Sequence, residues 1–349
     1  MIRDETFIKK KIAIVGAGWY GCYIAEYLLN NFVNVSITLI DKNDEIFGGS
    51  SYNNQNRLHL GFHYPRCSIT QQKCKKHFQH FIKQYANLLE DIDKNFYAIA
   101  NDSKIKHNDF VKLYDNHCPD YCFIKNTFLT NIESDIINTN EKYINFVKTK
   151  EHFRMKFLNK LTFINNYAVT KMINENGGVI LNDEMIYDKV FNCTYNQFQT
   201  TNDGFYEKCL TLIYKKIGET SFDCLTIMDG NYSSLFKYYE HAGDIFYTLT
   251  NVQHTPLIVS KNFNDVDHFK DYNMHDKIQL FEDGIMQFYP DFKNNFVHIG
   301  HYESFKCKNM SLNDSRDINI DVNENVFSVW CGKISFIFDL DVHINKFMH

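Results

Sequence analysis

The sequence predicts an α/β fold in which a Rossmann-like nucleotide-binding domain is interleaved with an α+β domain built on an antiparallel sheet. Three observations predict it. Lys11 to Asp41 reads as strand, glycine turn, helix, strand and acid, the order of a dinucleotide-binding unit. Between Leu210 and Thr250, short apolar runs recur at close, regular spacing, the pattern of an antiparallel sheet. The chain has 349 residues but only four prolines, and no proline-rich linker divides it, which suits one large unit or two interleaved ones.

The first unit begins with Lys11-Ile12-Ala13-Ile14-Val15, apolar and rich in β-branched residues. Gly16 allows the tight turn, Gly18 lets the backbone approach a pyrophosphate, and Gly21 lets the following helix pack close to the strand. That helix, Cys22 to Asn30, points free N–H groups and a positive dipole end at the phosphates, with Trp19 and Tyr20 at its mouth. A second strand, Val35 to Ile40, ends in Asp41, about 20 residues after Gly21, where a carboxylate can accept from a ribose hydroxyl. Lys42 stands beside it. An acid at this place argues against a 2′-phosphate, so FAD or NAD is favoured over NADP. Lys9-Lys10-Lys11 with the apolar run after it resembles the start of a signal peptide. The run is short and carries the glycine fingerprint, so it is read as the first strand.

Composition narrows the classes. Hydrophobic residues make up 44%, and 22 Tyr with 31 Phe imply a heavily aromatic core. The net charge of −5 and the absence of a long Lys/Arg run argue against nucleic acid as a partner. No run of about 20 apolar residues occurs, so no membrane span is expected. The ten cysteines repeat no ligand spacing; Cys118 and Cys122 are the closest pair, and no metal site is expected. Scattered cysteines of this kind suit a reducing cytoplasm.

Next come Ile46-Phe47-Gly48-Gly49-Ser50-Ser51, a small-residue turn, and Asn53 to Arg66, dense in His and Arg and without strand or helix period. Glycine-hinged loops that carry several reactive side chains are where sites concentrate. The Gly-rich turn, Asp41, the Gly48-Gly49 turn and His59-Leu60-Gly61-Phe62-His63-Tyr64-Pro65 together resemble the D-amino-acid oxidase superfamily of flavoproteins. Locally this segment is similar to L-2-hydroxyglutarate dehydrogenases and oxidases, and more loosely to UDP-galactopyranose mutase. The resemblance implies FAD bound in the glutathione-reductase manner, with the His59 segment passing beside the flavin. It departs from the hydroxyglutarate enzymes at Arg57 and at Arg66-Cys67, so substrate identity does not carry over.

The remaining elements follow in order. Ile69 to Leu89 is an amphipathic helix, Phe96 to Ala100 a strand, and Asp109 to Asn116 a helix. His152 to Lys160 is a helix and Thr162 to Ile173 a strand, with a hairpin turn at Asn176-Gly177-Gly178. Val179 to Leu181 and Met185 to Tyr187 lead to Asp188–Thr194, which the resemblance returns to the nucleotide sheet. Leu210 to Lys215, Cys224 to Met228, Leu235 to Tyr239 and Ile245 to Thr250 are strands. Asn251 to Leu257, with His254, is a segment that can reach the site, and His268 to Leu280 is a surface helix. Phe296 to Tyr302 and Val326 to Trp330 are strands, and Cys331-Gly332-Lys333-Ile334 opens a helix over Ser335 to Phe347. By the resemblance, Gly332-Lys333-Ile334 packs against the flavin's ribityl and pyrimidine edge. The FAD-binding part is expected at 1–95, 145–204 and 284–349, and the substrate part at 96–144 and 205–283.

The favoured reading is an FAD-dependent oxidoreductase that moves a hydride from a small hydroxyl- or amine-bearing substrate to flavin N5. His59 or His63 would take the substrate proton, and Arg57 or Arg66 would hold a carboxylate. Tyr64 and Tyr247 would close the site. Each histidine and Arg66 has an alternative structural role, as loop organiser or salt-bridge partner. The expected cofactor contacts are Gly16, Gly18, Trp19, Tyr20, Gly21, Asp41, Lys42, Ser50, Ser51, Arg57, Leu58, His59, Thr194, Gly332, Lys333 and Ile334. The alternatives are a non-redox flavoenzyme on a nucleotide sugar, like the mutase, and a nucleotide-binding protein without catalysis.

Overall fold

A computed structural model describes residues 9–114, 120–133, 135–198, 204–309 and 317–349. Cys118 and the end of the helix expected to Asn116 lie outside them. The chain opens with β1 (Lys10–Val15), α1 (Trp19–Asn31), β2 (Val35–Ile40), β3 (Arg57–Leu58) and α2 (Ser68–Tyr85). A six-stranded sheet runs in the order Asn319–Asn323, Val326–Trp330, Lys189–Asn192, β1, β2, Thr162–Ile164. All neighbours are parallel except the first pair. Strand alternation sends Ile12 and Ile14 to one face, where α1 covers them, and Ala13 and Val15 to the other. There a three-stranded antiparallel sheet of Met172–Glu175, Gly178–Leu181 and Met185–Tyr187 buries them with Val179 and Leu181. The hairpin joins at Asn176 and Gly177, with φ of 52° and 80°, as the turn chemistry required.

A nine-stranded sheet forms the second layer system: Pro256–Ser260, Gly204–Lys216, Asp244–Asn251, Ser233–His241, Cys224–Met228, Asn95–Ile99, Ile136–Thr139 and Tyr121–Ile124, with Phe296–Asn309 also on Gly204–Lys216. Phe296–Asn309 thus joins this sheet although it lies in a stretch expected in the FAD-binding part. Phe96, Leu225, Leu235, Leu249 and Leu212 are successive cross-strand neighbours. All five are buried in one core with Phe281, Ile285 and Phe292 of the helices behind the sheet. One residue along, Tyr97, Thr226, Ser234 and Thr250 form a parallel polar row on the opposite face. The larger core is aromatic as expected: Trp19 meets Phe47, Phe81, Tyr85 and Phe153 edge to face, with centroids 5.2–6.2 Å apart.

Several elements differ from the sequence expectation, for local reasons. Thr162 to Ile173 is not one strand: Asn166 turns at φ 51°, so Thr162–Ile164 ends on the parallel sheet and Met172 starts the hairpin sheet. The helix expected at His152 begins at Phe146, because the Asn145 side chain caps it by accepting from the Lys148 N–H. Two helices, Phe263–His268 and Met274–Met286, replace one, since Asn273 caps the second by accepting from the His275 N–H. Pro256–Ser260, expected only as connection, is an added strand. The C-terminal helix starts as 3₁₀ turns at Ile334–Leu340 and becomes α-helical only over Asp341–Met348. Ser335, Phe336, Ile337 and Phe338 are all buried, so this run has no solvent face of the kind a half-buried α-helix keeps.

Candidate functional site

The parallel register brings four strand ends side by side: Val15-Gly16, Ile40-Asp41, Asn192-Cys193-Thr194 and Trp330-Cys331-Gly332. This is the edge where open α/β sheets bind ligands. Gly16 has φ +102°, and a Cβ there would lie 2.5 Å from the Cys193 carbonyl oxygen. A Cβ on Gly21 would lie 1.9 Å from the Gly16 carbonyl oxygen, so glycine alone allows α1 to sit this close to the turn. Gly18 is the N-cap of α1 and has no side chain to cap it, and the first turn holds no acid. The positive end of a 13-residue helix is thereby left for an anion.

Asp41 sits at the end of β2 but faces the turn. Its Oδ2 accepts from the Ala17 N–H at 2.6 Å, and its Oδ1 from the Asn43 N–H and side-chain amide at 2.8 and 2.7 Å. It therefore ties the glycine turn to β2, and the carboxylate's further lone pairs are what a ribose hydroxyl could use. Lys42 beside it is exposed. The Ser51 hydroxyl accepts from the Trp19 N–H at 3.0 Å, while Ser50 donates to the Phe305 carbonyl at 2.9 Å. Trp19 and Leu58 give their side chains to the core. Tyr20 donates to the Lys333 carbonyl at 2.8 Å, and burial pushes its phenol well above the usual range. Thr194 donates to Asn192 Oδ1 at 2.7 Å, and Ile334 packs on the edge of the main core. These residues suit FAD: three strand ends carry small or backbone-exposing residues, and a helix N-terminus with no acid in its first turn stands at the glycine turn.

The His-rich loop meets the same edge. The Lys333 ammonium lies 4.2 Å from the Tyr64 ring centroid. Tyr64 packs against His63 and His59 with centroids 5.1 and 5.9 Å away, and the two histidine rings stack at 5.7 Å. β3 pairs Leu58 with Lys142 in antiparallel register, which sets Glu141 opposite His59. Glu141 Oε1 lies 3.6 Å from His59 Nδ1 and accepts from the Leu60 N–H at 2.7 Å. Its Oε2 accepts from the Tyr97 hydroxyl at 2.6 Å and the Asn95 amide at 3.4 Å. Burial and the Lys333 charge push the His59 imidazole down to about 4, against an upward pull from Glu141. Burial alone would raise the Glu141 carboxyl, but His59, Tyr97 and the Leu60 N–H outweigh it and hold the group below the usual carboxylate range.

Arg57 reaches the polar face of the nine-stranded sheet. Its guanidinium donates to Thr226 Oγ1 at 2.8 Å and to Ser234 Oγ, and lies 4.1 Å from the Phe236 ring centroid. Its Nε is buried without a hydrogen-bond partner, and none of the described carboxylates pairs with it. Arg66 is different: its Nε donates to Asp229 Oδ2 at 2.5 Å, and its side chain is 45% exposed.

Two expected contributors lie elsewhere. Tyr247 is buried in the core behind the sheet, with its ring 5.0 Å from Phe296. The alternation of its strand, set by Leu249 in the same core, turns it away from the polar face. His254 lies on that helical side too, 6.4 Å from the Phe281 ring. Glu141, Tyr97, Thr226 and Ser234 were not singled out in the sequence. A two-residue strand pairing across 84 residues (58 with 142) leaves no local signal.

A family model described as an NAD(P)-binding Rossmann-like domain matches residues 14–85. The chain is 28% identical over 340 residues to FAD-dependent monooxygenase FPY4 of Fusarium mangiferae, covering 94% of this chain and 88% of that protein. It is 34% identical over 106 residues to FAD-dependent monooxygenase kojA of Aspergillus flavus, covering 29% and 24%. FAD-bound L-alpha-glycerophosphate oxidase from Mycoplasma pneumoniae superposes with TM-score 0.74 at 13% identity, covering 97% of this chain and 94% of that one. Glycine oxidase from Geobacillus kaustophilus superposes with TM-score 0.71 at 8% identity and the same coverage. Glycine turn and sheet topology give the chain the fold of these FAD-dependent oxidases, and along nearly its whole length it is similar to an FAD-dependent monooxygenase.

Proposed function

We propose that the enzyme oxidises a small anionic substrate at a carbon bearing a hydroxyl or amine. The carrying observation is Arg57, a half-buried guanidinium that rests on two hydroxyls and an aromatic face and has no described acid beside it. A cation held out of water without a counter-charge favours a ligand that brings one, and a carboxylate fits its fork. FAD, when bound, supplies the hydride acceptor. Gly16, Gly18, Gly21, Asp41, Thr194 and Gly332, with Ser51 beside the start of α1, would hold its diphosphate and ribose arms. Lys333 and the His59–Tyr64 loop would lie along its ring. His59, uncharged at neutral pH, would accept the proton that leaves the substrate hydroxyl or ammonium. His63 and Tyr64 would wall the site. Arg66, held by Asp229, would shape its rim.

The proposed division into an FAD-binding part and a substrate part is supported by the two sheets, with Phe296–Asn309 assigned to the substrate sheet. A cytoplasmic setting is supported by the nine described cysteines, all of them thiols. No helix among the described residues is long and apolar enough to cross a membrane.

The test is anaerobic mixing of FAD-loaded protein with 2-hydroxy acids, amino acids and sugar nucleotides while following loss of the oxidised flavin's visible absorbance. Bleaching by carboxylates, slowed about 10²- to 10⁴-fold in His59→Ala, is expected. Bleaching only by uncharged compounds would sink the Arg57 assignment. Turnover of a sugar nucleotide solely after chemical reduction of the flavin would point to mutase-like chemistry. A second reading, oxygen insertion, is favoured by the relatives named monooxygenases. It predicts that one atom of isotopically labelled dioxygen appears in the product.

A further inference from the structure

We infer that Glu141 is a positioning residue for His59, fixing the imidazole as the Nδ1–H tautomer and leaving the lone pair on Nε2 for the substrate proton. This rests on the reading of His59 as the base. The geometry carries it. Glu141 is buried, and its two oxygens are anchored from three directions: the Leu60 N–H, the Tyr97 hydroxyl and the Asn95 amide. Asn95 and Tyr97 are two apart on one strand, so both point to the same face and clamp the same carboxylate. Oε1 is left 3.6 Å from His59 Nδ1, the only buried side-chain nitrogen of His59 without a hydrogen-bond partner. A carboxylate so placed favours a proton on the nitrogen nearest to it and repels a lone pair there. Catalytic hydrogen bonds are often long before the substrate complex forms, and the 3.6 Å separation is of that kind.

The charge balance fits a base that must hold a proton only briefly. His59 is faced by Lys333 from the C-terminal turn, Arg57 from β3, His63 and Tyr64 from its own loop, and Glu141, which Tyr97 of the sheet holds from behind. Lys333 and Arg57 disfavour the imidazolium, and burial does so more strongly. Glu141 is the carboxylate in this set, and it is what stabilises the imidazolium once the substrate proton arrives. The proton passes from substrate to Nε2, and Glu141 remains ionised throughout.

The test is long-range ¹H–¹⁵N correlation of histidine-labelled, FAD-loaded protein, with the His59 signals assigned by their loss in His59→Gln. The expected result is Nδ1–H and unprotonated Nε2 at neutral pH. In Glu141→Gln the tautomer shifts toward Nε2–H, and the imidazolium fraction at a fixed acidic pH falls at least about tenfold. Glu141→Asp, which restores the charge, brings the Nδ1–H form back. An Nε2–H tautomer in the wild type overturns the inference, as does a His59 signal unchanged in Glu141→Gln. If the variants do not fold, the wild-type tautomer decides alone. The readout needs no substrate, so its failure is distinct from a failure of the oxidoreductase reading, which shows as flavin that no substrate bleaches.

Discussion

The glycine turn and the His59 floor meet at one sheet edge, yet they are built in opposite ways. The turn uses residues 16–41, contiguous in sequence, and its geometry centres on the backbone: Gly21 against the Gly16 carbonyl, and the Ala17 N–H on the Asp41 carboxylate. The floor gathers Arg57, His59, Tyr97, Glu141, Thr226, Ser234 and Lys333 from six separate strands and turns. Its geometry is side chain against side chain, fixed by register. A site for a constant cofactor can be written locally, because the needed groups are N–H donors and the absence of Cβ. A site for a particular substrate is written by pairing, because the needed groups are side chains brought from afar.

Breaking the first region should have the largest effect. Gly21→Ala puts a methyl 1.9 Å from a backbone oxygen that cannot rotate away. It should cost more than about 3 kcal/mol and yield protein without flavin absorbance. Flavin bound at wild-type stoichiometry would show that α1 can retreat without harm. The second test uses pH. Burial and Lys333 depress the folded His59 to about 4. Between its unfolded value, about 6.5, and 4 the unfolded chain binds the proton and the folded chain does not, so stability falls as the pH is lowered through that window. The loss should approach about 3 kcal/mol, and denaturant titrations of His59→Gln should lack it. Third, Arg57→Met should weaken binding of an anionic substrate about 10²-fold while leaving FAD in place, the scale of a charged hydrogen-bonded contact. Equal losses for charged and uncharged substrates would make Arg57 a brace between β3 and the sheet. The smallest effect belongs to the rim: Asp229→Asn should cost below about 1 kcal/mol, since Arg66 is half in solvent, and should leave substrate affinity unchanged. A large affinity change in thermal or kinetic titration would move Arg66 into the site.

The same contrast explains what could be read beforehand. The Lys10–Val15 strand, the glycine turn and the Val35–Ile40 strand were legible because each follows from a short apolar run or a single glycine. So were the strands about Cys224, Leu235 and Ile245, whose period of two is local. His59, Tyr64 and Lys333 could be named together, and the structure brings them together. Glu141 could not, since it is an ordinary acid in a polar stretch until Leu58 pairs with Lys142. Tyr247 was misplaced because tyrosine suits either face of a half-buried strand, and only the register with Leu235 and Leu249 decides which. The 3₁₀ start at Ile334 was hidden because the burial of Ser335 to Phe338 that accompanies it is a property of the packed molecule.

The two rows across the nine-stranded sheet separate two burdens that most surfaces combine. Phe96, Leu225, Leu235 and Leu249 carry packing, while Tyr97, Thr226, Ser234 and Thr250, one step along the same strands, form the polar face that the proposed function turns to the substrate. A substitution at 226 or 234 changes what Arg57 rests on without removing a methyl from the core behind it. On the proposed reading, such a sheet could be retuned to a new substrate one hydroxyl at a time while the apolar row behind it stays packed.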